Sequence, residues 1–233
     1  MKETKEYSSK TLKYRNLAWL VATLVLDILV LLVIVFHKAI EDLTPTTAIA
    51  IRVSLTALLP IPTLILSSLL SADLKAVLVF WRIKNPLPGA RAFTVHAPAD
   101  SRIDLATLRK NIGEFPTTER DQNAKWYSLY KLVDSDPSVV DSHKNYLLLR
   151  DIAAMSLLLA LTAPMTMYFV GIDTTGVKTS AVLLFTQYLI TALSARTTGI
   201  RFVQNVLAVH ASHKVAGSKP QVRKKAATNP ADL

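Results

Sequence analysis

The sequence has 233 residues, of which 51% are hydrophobic and only 19% are charged, and it contains no cysteine. The lack of cysteine excludes disulfides, thiolate metal sites and cysteine nucleophiles. The apolar residues come in long blocks without a helical or strand period, which argues against one or two soluble domains and for a membrane protein. The net charge of +10 lies mostly at the two ends of the chain.

The first apolar block runs from Asn16 to Phe36, behind a basic segment of residues 1–15. It has about 21 residues, and at about 1.5 Å per residue this is enough to cross a hydrocarbon core of about 30 Å. The block is too long for a signal peptide and ends without a small-x-small cleavage pattern. It therefore predicts a retained transmembrane helix, with Trp19 as an interfacial anchor.

The second block, Thr46 to Leu70, contains Pro60 and Pro62. These prolines remove two backbone donors, so they predict a kink or a local unwinding near the middle of the membrane. Neighbouring helices or water can satisfy the freed carbonyls. An ordinary packing kink is the simpler interpretation, and a gating hinge is the alternative.

The longest polar stretch, residues 71–149, predicts a small helical module. Its first part is expected to form a helix from residue 72 to residue 83, which ends at the proline- and glycine-containing run 85–89. Four apolar residues at helical spacing predict that this helix continues the second span out along the membrane surface. They are Leu74, Val77, Leu78 and Trp81. A capping box at Ser101–Asp104 then predicts a short helix that ends at Gly113.

Two further helices are predicted in the module. The run 116–119 opens one of them, and an aromatic and aliphatic stripe follows it at helical spacing. The stripe consists of Trp126, Leu129, Tyr130 and Val133. Asp136 and Pro137 predict the capped start of the other helix, which continues into the membrane. Trp126, Tyr127 and Tyr130 have two interpretations, as core residues or as an interface for a partner protein.

The last two apolar blocks, Asp151–Val170 and Val177–Ala195, predict a second transmembrane pair, with Pro164 as a third hinge candidate. Ile200, Val203, Leu207 and His210 predict one or two more helical turns at the surface. The basic tail beyond is expected to be partly disordered and to contact anionic lipid, or nucleic acid as the weaker alternative. Its candidate contact residues are Lys214, Lys219, Arg223, Lys224 and Lys225.

These elements predict an all-α polytopic membrane protein, in which four transmembrane helices form two hairpins around a small helical cytoplasmic module. The expected division is into five parts. They are residues 1–15 (cytoplasmic segment), 16–70 (first hairpin), 71–149 (module), 150–196 (second hairpin) and 197–233 (basic tail). Because basic residues concentrate in the termini and the module, both termini and the module are expected on the cytoplasmic side.

Three polar residues are expected inside the membrane. Asp27 lies near the middle of the first span, where an ionised carboxylate costs at least about 2.5–3.5 kcal/mol and calls for a partner. The depth of Arg52 in the second span predicts an Asp27–Arg52 pair that holds the first hairpin together; a pore-lining carboxylate is the alternative. Gln187 predicts a hydrogen bond between helices, with a polar pore stripe as the alternative.

No motif predicts catalysis, a cofactor or a metal site. His96, Asp100, Asp104, Asp141 and His143 match no compact metal-ligand spacing. Asp100 and Asp104 are better explained as residues at a helix N-terminus. The chain is therefore expected not to be an enzyme.

The leading hypothesis is a non-enzymatic, oligomeric sensor or effector of the bacterial inner membrane. Its module would receive a ligand or partner signal and alter membrane packing or permeability; a component of a defence system is one form of this idea, by analogy of architecture alone. The alternatives are a membrane anchor for a soluble partner, and a transporter subunit or lipid-modifying enzyme. The expected partners are lipids, further copies of the chain and a cytoplasmic protein, without direct nucleic-acid binding.

Overall fold

The structure is a computed structural model that describes residues 9–41, 46–58, 65 and 68–212. It is 83% helical, and the described part of the chain contains no strand. Its α-helices are α1 (Ser9–Glu41), α2 (Thr46–Leu58), α3 (Ala72–Phe80), α4 (Leu105–Ile112), α5 (Glu119–Leu132), α6 (Pro137–Phe169) and α7 (Thr174–Ser212). A 3-10 turn (Pro88–Arg91) and a π-helical turn (Ala92–His96) lie between α3 and α4.

Three of these helices are long and apolar enough to span a membrane. They are the segment Asn16–His37 of α1, and α6 and α7 over their full lengths. The described helix α2 has 13 residues, which corresponds to about 20 Å and falls short of a hydrocarbon core of about 30 Å. Pro60 and Pro62 lie outside the described residues.

The three long helices pack in one bundle, with α1 parallel to α6 and antiparallel to α7. The side-chain amide of Asn16 donates to the Lys144 carbonyl at 2.8 Å, which places the start of α1 beside the first turns of α6. At the other end, α6 and α7 are joined by a tight turn in which Gly171 has φ +77°. Asp173 then caps α7 by accepting from the amides of Thr175 and Gly176, both at 3.1 Å.

The helix α6 begins where the sequence predicts it. Asp136 accepts from the Ser138 amide at 2.9 Å, and Pro137 occupies the first helical position, where its missing N–H costs nothing. The helix then continues without a break through Pro164 to Phe169. The predicted hinge at Pro164 is thus an uninterrupted helix in this structure.

The four apolar residues that predict the first helix of the module do not form its most buried face. Leu74 and Trp81 are 44% and 50% exposed, whereas Lys75, Val79 and Phe80 are buried. The helix also starts anew at Ser71, which caps it by accepting from the Leu74 amide at 3.1 Å. The most buried face of the helix therefore includes a charged residue, Lys75, which has an ionic partner in the interior.

The two short helices of the module start at clear caps. Asp104 accepts from the amides of Ala106 and Thr107, so α4 begins three residues after the predicted capping-box start at Ser101. Gly113, with φ +81°, ends α4 as expected. Thr118 caps α5 by accepting from the Asp121 amide at 3.1 Å.

The module and the long helices α6 and α7 share one hydrophobic core, which extends from Ala76 to Ala211 along the sequence. Gly199 on α7 is a point of close approach: a β-carbon there would lie 2.9 Å from the Tyr146 ring and 3.0 Å from Phe80. Residues 197–212, assigned to the tail on sequence grounds, continue α7. Phe202 and Leu207 in this stretch are 4% and 0% exposed, so it forms the centre of the module.

The π-helical turn ends at His96, a buried imidazole whose Nε2 has no hydrogen-bond partner. Burial, together with the charges of Arg91 and Arg196, lowers the pKa of His96 to about 4. The ordinary pKa is about 6.5, so between pH 6.5 and 4 the unfolded chain takes up a proton at this position that the folded chain does not. The free energy of unfolding therefore falls as the pH drops through this window.

We predict that His96→Phe makes the stability of the protein less dependent on pH between 6.5 and 4. The measurement is the melting temperature of the detergent-solubilised protein at pH 8, 6, 5 and 4. At pH 8, where the imidazole is neutral in both states, the variant and the unchanged protein should melt at similar temperatures. Parallel pH profiles for the two proteins would contradict this account of His96.

Candidate functional site

A cavity of about 220 Å³ lies where the module meets the start of α6 and the end of α7. One wall comes from the 3-10 turn and α5, and the other from α6 and α7. Its lining residues are Leu87, Pro88, Gly89, Asn123, Trp126, Tyr127, Tyr130, Lys131, His143, Tyr146, Leu147, Arg150 and Phe202. We call this space the junction cavity.

Aromatic rings hold the two walls of the junction cavity in place. The His143 and Phe202 rings stack with centroids 4.4 Å apart, and Trp126 meets Phe202 edge-on at 5.1 Å. Tyr130 Oη lies 3.1 Å from His143 Nδ1, within hydrogen-bond distance. Burial raises the pKa of Tyr130 to about 12, so this hydroxyl stays protonated at neutral pH.

Gly89 brings the loop after α3 against α5 at the edge of the cavity. A β-carbon at this position would lie 2.6 Å from both Asn123 Oδ1 and the Trp126 ring. Only glycine permits this approach without a shift of the neighbours. Two prolines that precede Gly89, Pro86 and Pro88, restrict the backbone of the same loop.

A buried ionic group borders the cavity at Arg150. Asp151 Oδ1 accepts from Lys75 Nζ at 3.0 Å and from Arg150 Nη2 at 3.1 Å. All three residues are less than 9% exposed. Two cations thus share one carboxylate, and the group ties α3 to α6 while it retains one positive charge.

The two predicted intramembrane residues Asp27 and Gln187 lie close together. The Gln187 side chain lies near the Asp27 carboxyl group and donates to Ser156 Oγ at 3.1 Å. The contacts join α1, α6 and α7, as expected for a hydrogen bond between helices. Because a single chain already leaves Asp27 only 4% exposed, its solvation does not argue for an oligomer.

The predicted Asp27–Arg52 pair is wrong. Arg52 instead donates to the carbonyls of Val170 and Gly171, at 3.1 and 3.0 Å, and so caps the C-terminal end of α6. Gln187, which lies near Asp27, donates to Ser156, and Ser156 is about 22 Å from Gly171 along α6. The prediction placed Arg52 within reach of Asp27 from their depths in consecutive spans, whereas the polar neighbour of Asp27 comes from α7.

The predicted partner-interface residues divide into two groups. Trp126 and Tyr130 are each only 6% exposed and belong to the core, which favours the core interpretation for both. Tyr127 is 52% exposed at the rim of the junction cavity. Of the three, only Tyr127 presents a surface to a partner in this structure.

The candidate ligand residues of the module have structural roles. Asp104 caps α4, and Asp100 pairs with Arg102 at 2.7 Å. Within the described ranges, no group of three or more His, Asp or Glu side chains has the geometry of a metal site. The predicted lipid-contact residues of the tail lie outside the described residues.

Sequence reasoning missed three residues that shape the junction cavity: Tyr146, Arg150 and Phe202. The predicted boundaries divide both α6 and α7 into a membrane segment and a surface segment. The sequence therefore does not indicate that Tyr146 on α6 and Phe202 on α7 line the same cavity. Arg150 offered one usable signal, because an adjacent Arg–Asp pair within an otherwise apolar helix requires an ionic partner. The partner, Lys75, is 76 positions away in sequence.

No known protein family, curated protein or solved structure matches this chain.

We predict that Asp151→Asn strongly destabilises the protein. The change leaves the buried cations Lys75 and Arg150 without their carboxylate, and loss of one partner from a buried pair costs about 3–5 kcal/mol. The measurement is the free energy of unfolding in mixed micelles.

Glu114→Gln is the matched control for this prediction. It also removes one carboxylate, but from an exposed contact with Arg109 at 3.5 Å, where 84% of the Glu114 side chain is accessible. Exposed pairs contribute about 0–1 kcal/mol. Equal effects of the two substitutions would contradict the ionic role of Asp151.

Proposed function

We propose that this chain is a non-enzymatic sensor of the bacterial inner membrane, with four spans and both termini in the cytoplasm. Its module receives a ligand in the junction cavity, and the long helices respond by a change in packing. One observation carries the proposal: the cavity is built from the module on one side and from α6 and α7 on the other.

The distribution of exposed apolar side chains supports insertion in a membrane. Val33, Met165 and Val182 are 68%, 61% and 65% exposed on three different long helices. Large apolar surfaces of this kind mark membrane or protein contacts. Arg52 at the end of α6 supports a fourth span, because it brings α2 against the three-helix bundle.

A ligand in the junction cavity would act on the membrane helices directly. His143, Tyr146 and Arg150 lie on α6, and Phe202 lies on α7. Both helices continue into the membrane without a break. Because packed helices shift as rigid units by about 1–2 Å when an interface is repacked, a change in the cavity is expected to move their distant ends.

The alternatives receive less support. An anchor for a soluble partner needs an exposed recognition surface, and Trp126 and Tyr130 are interior. Transport through Asp27 needs an accessible carboxylate, and Asp27 is enclosed by Gln187 and the three long helices.

The proposal is tested by filling the junction cavity with a side chain. Leu147 lines the cavity and is 5% exposed, so Leu147→Trp adds an indole where a ligand would sit. Spin labels at Val33→Cys and Val182→Cys report the separation of α1 and α7, and the chain has no native cysteine to interfere. The expected result is a shift of about 1–2 Å in the label separation, measured by pulsed electron resonance in nanodiscs.

Leu132→Trp is the control for this experiment, because Leu132 is 40% exposed on α5 and lies outside the cavity lining. It should leave the label separation unchanged. The sensor proposal is lost if Leu147→Trp folds normally and the separation is also unchanged.

A further inference from the structure

The charged residues that line the junction cavity are all positive. Of its 13 lining residues, the two that are charged at neutral pH, Lys131 and Arg150, are both cationic. The nearby carboxylates of Asp73, Asp134 and Asp151 lie outside the lining. An anion is therefore the charged ligand that this space favours.

Arg150 has capacity for a further anionic partner. It shares Asp151 Oδ1 with Lys75, and it contacts that oxygen through Nε at 3.3 Å and Nη2 at 3.1 Å. Its guanidinium lies 5.6 Å from the centroid of the Tyr146 ring. The five donors of a guanidinium can serve two carboxylates at once, so a ligand carboxylate would neutralise the remaining charge.

Tyr146 provides an independent sign of a missing polar partner. This residue lines the cavity and is 4% exposed. Its hydroxyl lies beside Arg150 but has no hydrogen-bond partner of normal length and angle. Buried hydroxyl groups without a partner are uncommon and costly. A ligand oxygen in the cavity would accept the hydrogen bond that the protein does not supply.

The remaining walls favour a flat apolar body of limited size. Trp126, Tyr130 and Phe202 present aromatic surfaces to the space. An engineered apolar cavity of about 150 Å³ is large enough for benzene, so a cavity of about 220 Å³ has room for one ring with a small substituent. Tyr127 and Lys131 are exposed at the rim, which gives the ligand a way in from the cytoplasm.

We propose that the junction cavity binds a small aromatic carboxylate, whose carboxylate contacts Arg150 and the Tyr146 hydroxyl and whose ring lies among Trp126, Tyr130 and Phe202. This inference rests on the proposed sensor function for its biological role, but the binding site itself does not depend on it. It assigns the ligand of the sensor to a chemical class.

The test compares benzoate with its uncharged isostere benzamide, on the full chain in nanodiscs, by ligand-observed NMR titration. Benzoate is expected to bind at least about tenfold more tightly, because a hydrogen bond to a charged group is stronger than one to a neutral group. Arg150→Gln should abolish this preference. Lys144→Gln, which removes a cation from the same helix outside the cavity, should retain it.

Tyr146→Phe is the second variant, since it removes a hydroxyl without a partner and should fold as well as the unchanged protein. It is expected to weaken benzoate binding about tenfold, whereas Tyr168→Phe, at the exposed far end of α6, should have no effect. The inference is overturned if benzoate and benzamide bind equally, or if folded Tyr146→Phe protein binds benzoate as well as the unchanged chain does.

The two proposals fail separately. If benzoate shows no preference but Leu147→Trp still moves the spin labels, the ligand class is wrong and the sensor proposal stands. If benzoate binds as expected and neither the ligand nor Leu147→Trp moves the labels, the site is correct and the sensor proposal is wrong.

Discussion

The structure depends on two helices that are longer than a membrane is thick. With 33 and 39 residues, α6 and α7 extend for about 50 and 58 Å, against a hydrocarbon core of about 30 Å. Their excess length on the Lys144 side carries the aromatic residues on which the module folds. The module is therefore built around the ends of α6 and α7, and the polar residues in sequence between α2 and α6 supply its outer part.

In this arrangement, charged side chains lie next to the apolar parts of the long helices. The side chain of Lys75 on α3 lies in the interior, where Lys75 and Arg150 both contact the Asp151 carboxylate. A carboxylate with two cations is less costly to bury than any of the three residues alone. The same ionic group has one positive charge in excess, and this charge lies beside the junction cavity. The group that joins α3 to α6 therefore also determines which ligands the cavity can accept.

The sequence was informative where local chemistry decides the structure. The cap at Asp136, the end of α4 at Gly113 and the aromatic stripe of α5 were predicted, because each depends on residues a few positions apart. The face of α3 and the partner of Asp27 were not, because both depend on contacts between distant segments. The spacing of the apolar residues in α3 could not show that Lys75 contacts Asp151. The depth of Asp27 along α1 could not show that its polar neighbour lies on α7.

The central claim is that the module and the ends of α6 and α7 form one cooperative unit. It is tested most directly by native-state amide hydrogen exchange in lipid nanodiscs, with the opening free energies of α5 compared with those of residues 197–211. The account predicts that the two segments open together, with the same free energy. It is contradicted if α5 exchanges at a much lower free energy while residues 197–211 stay protected, since the module would then fold apart from the helices that it is proposed to control.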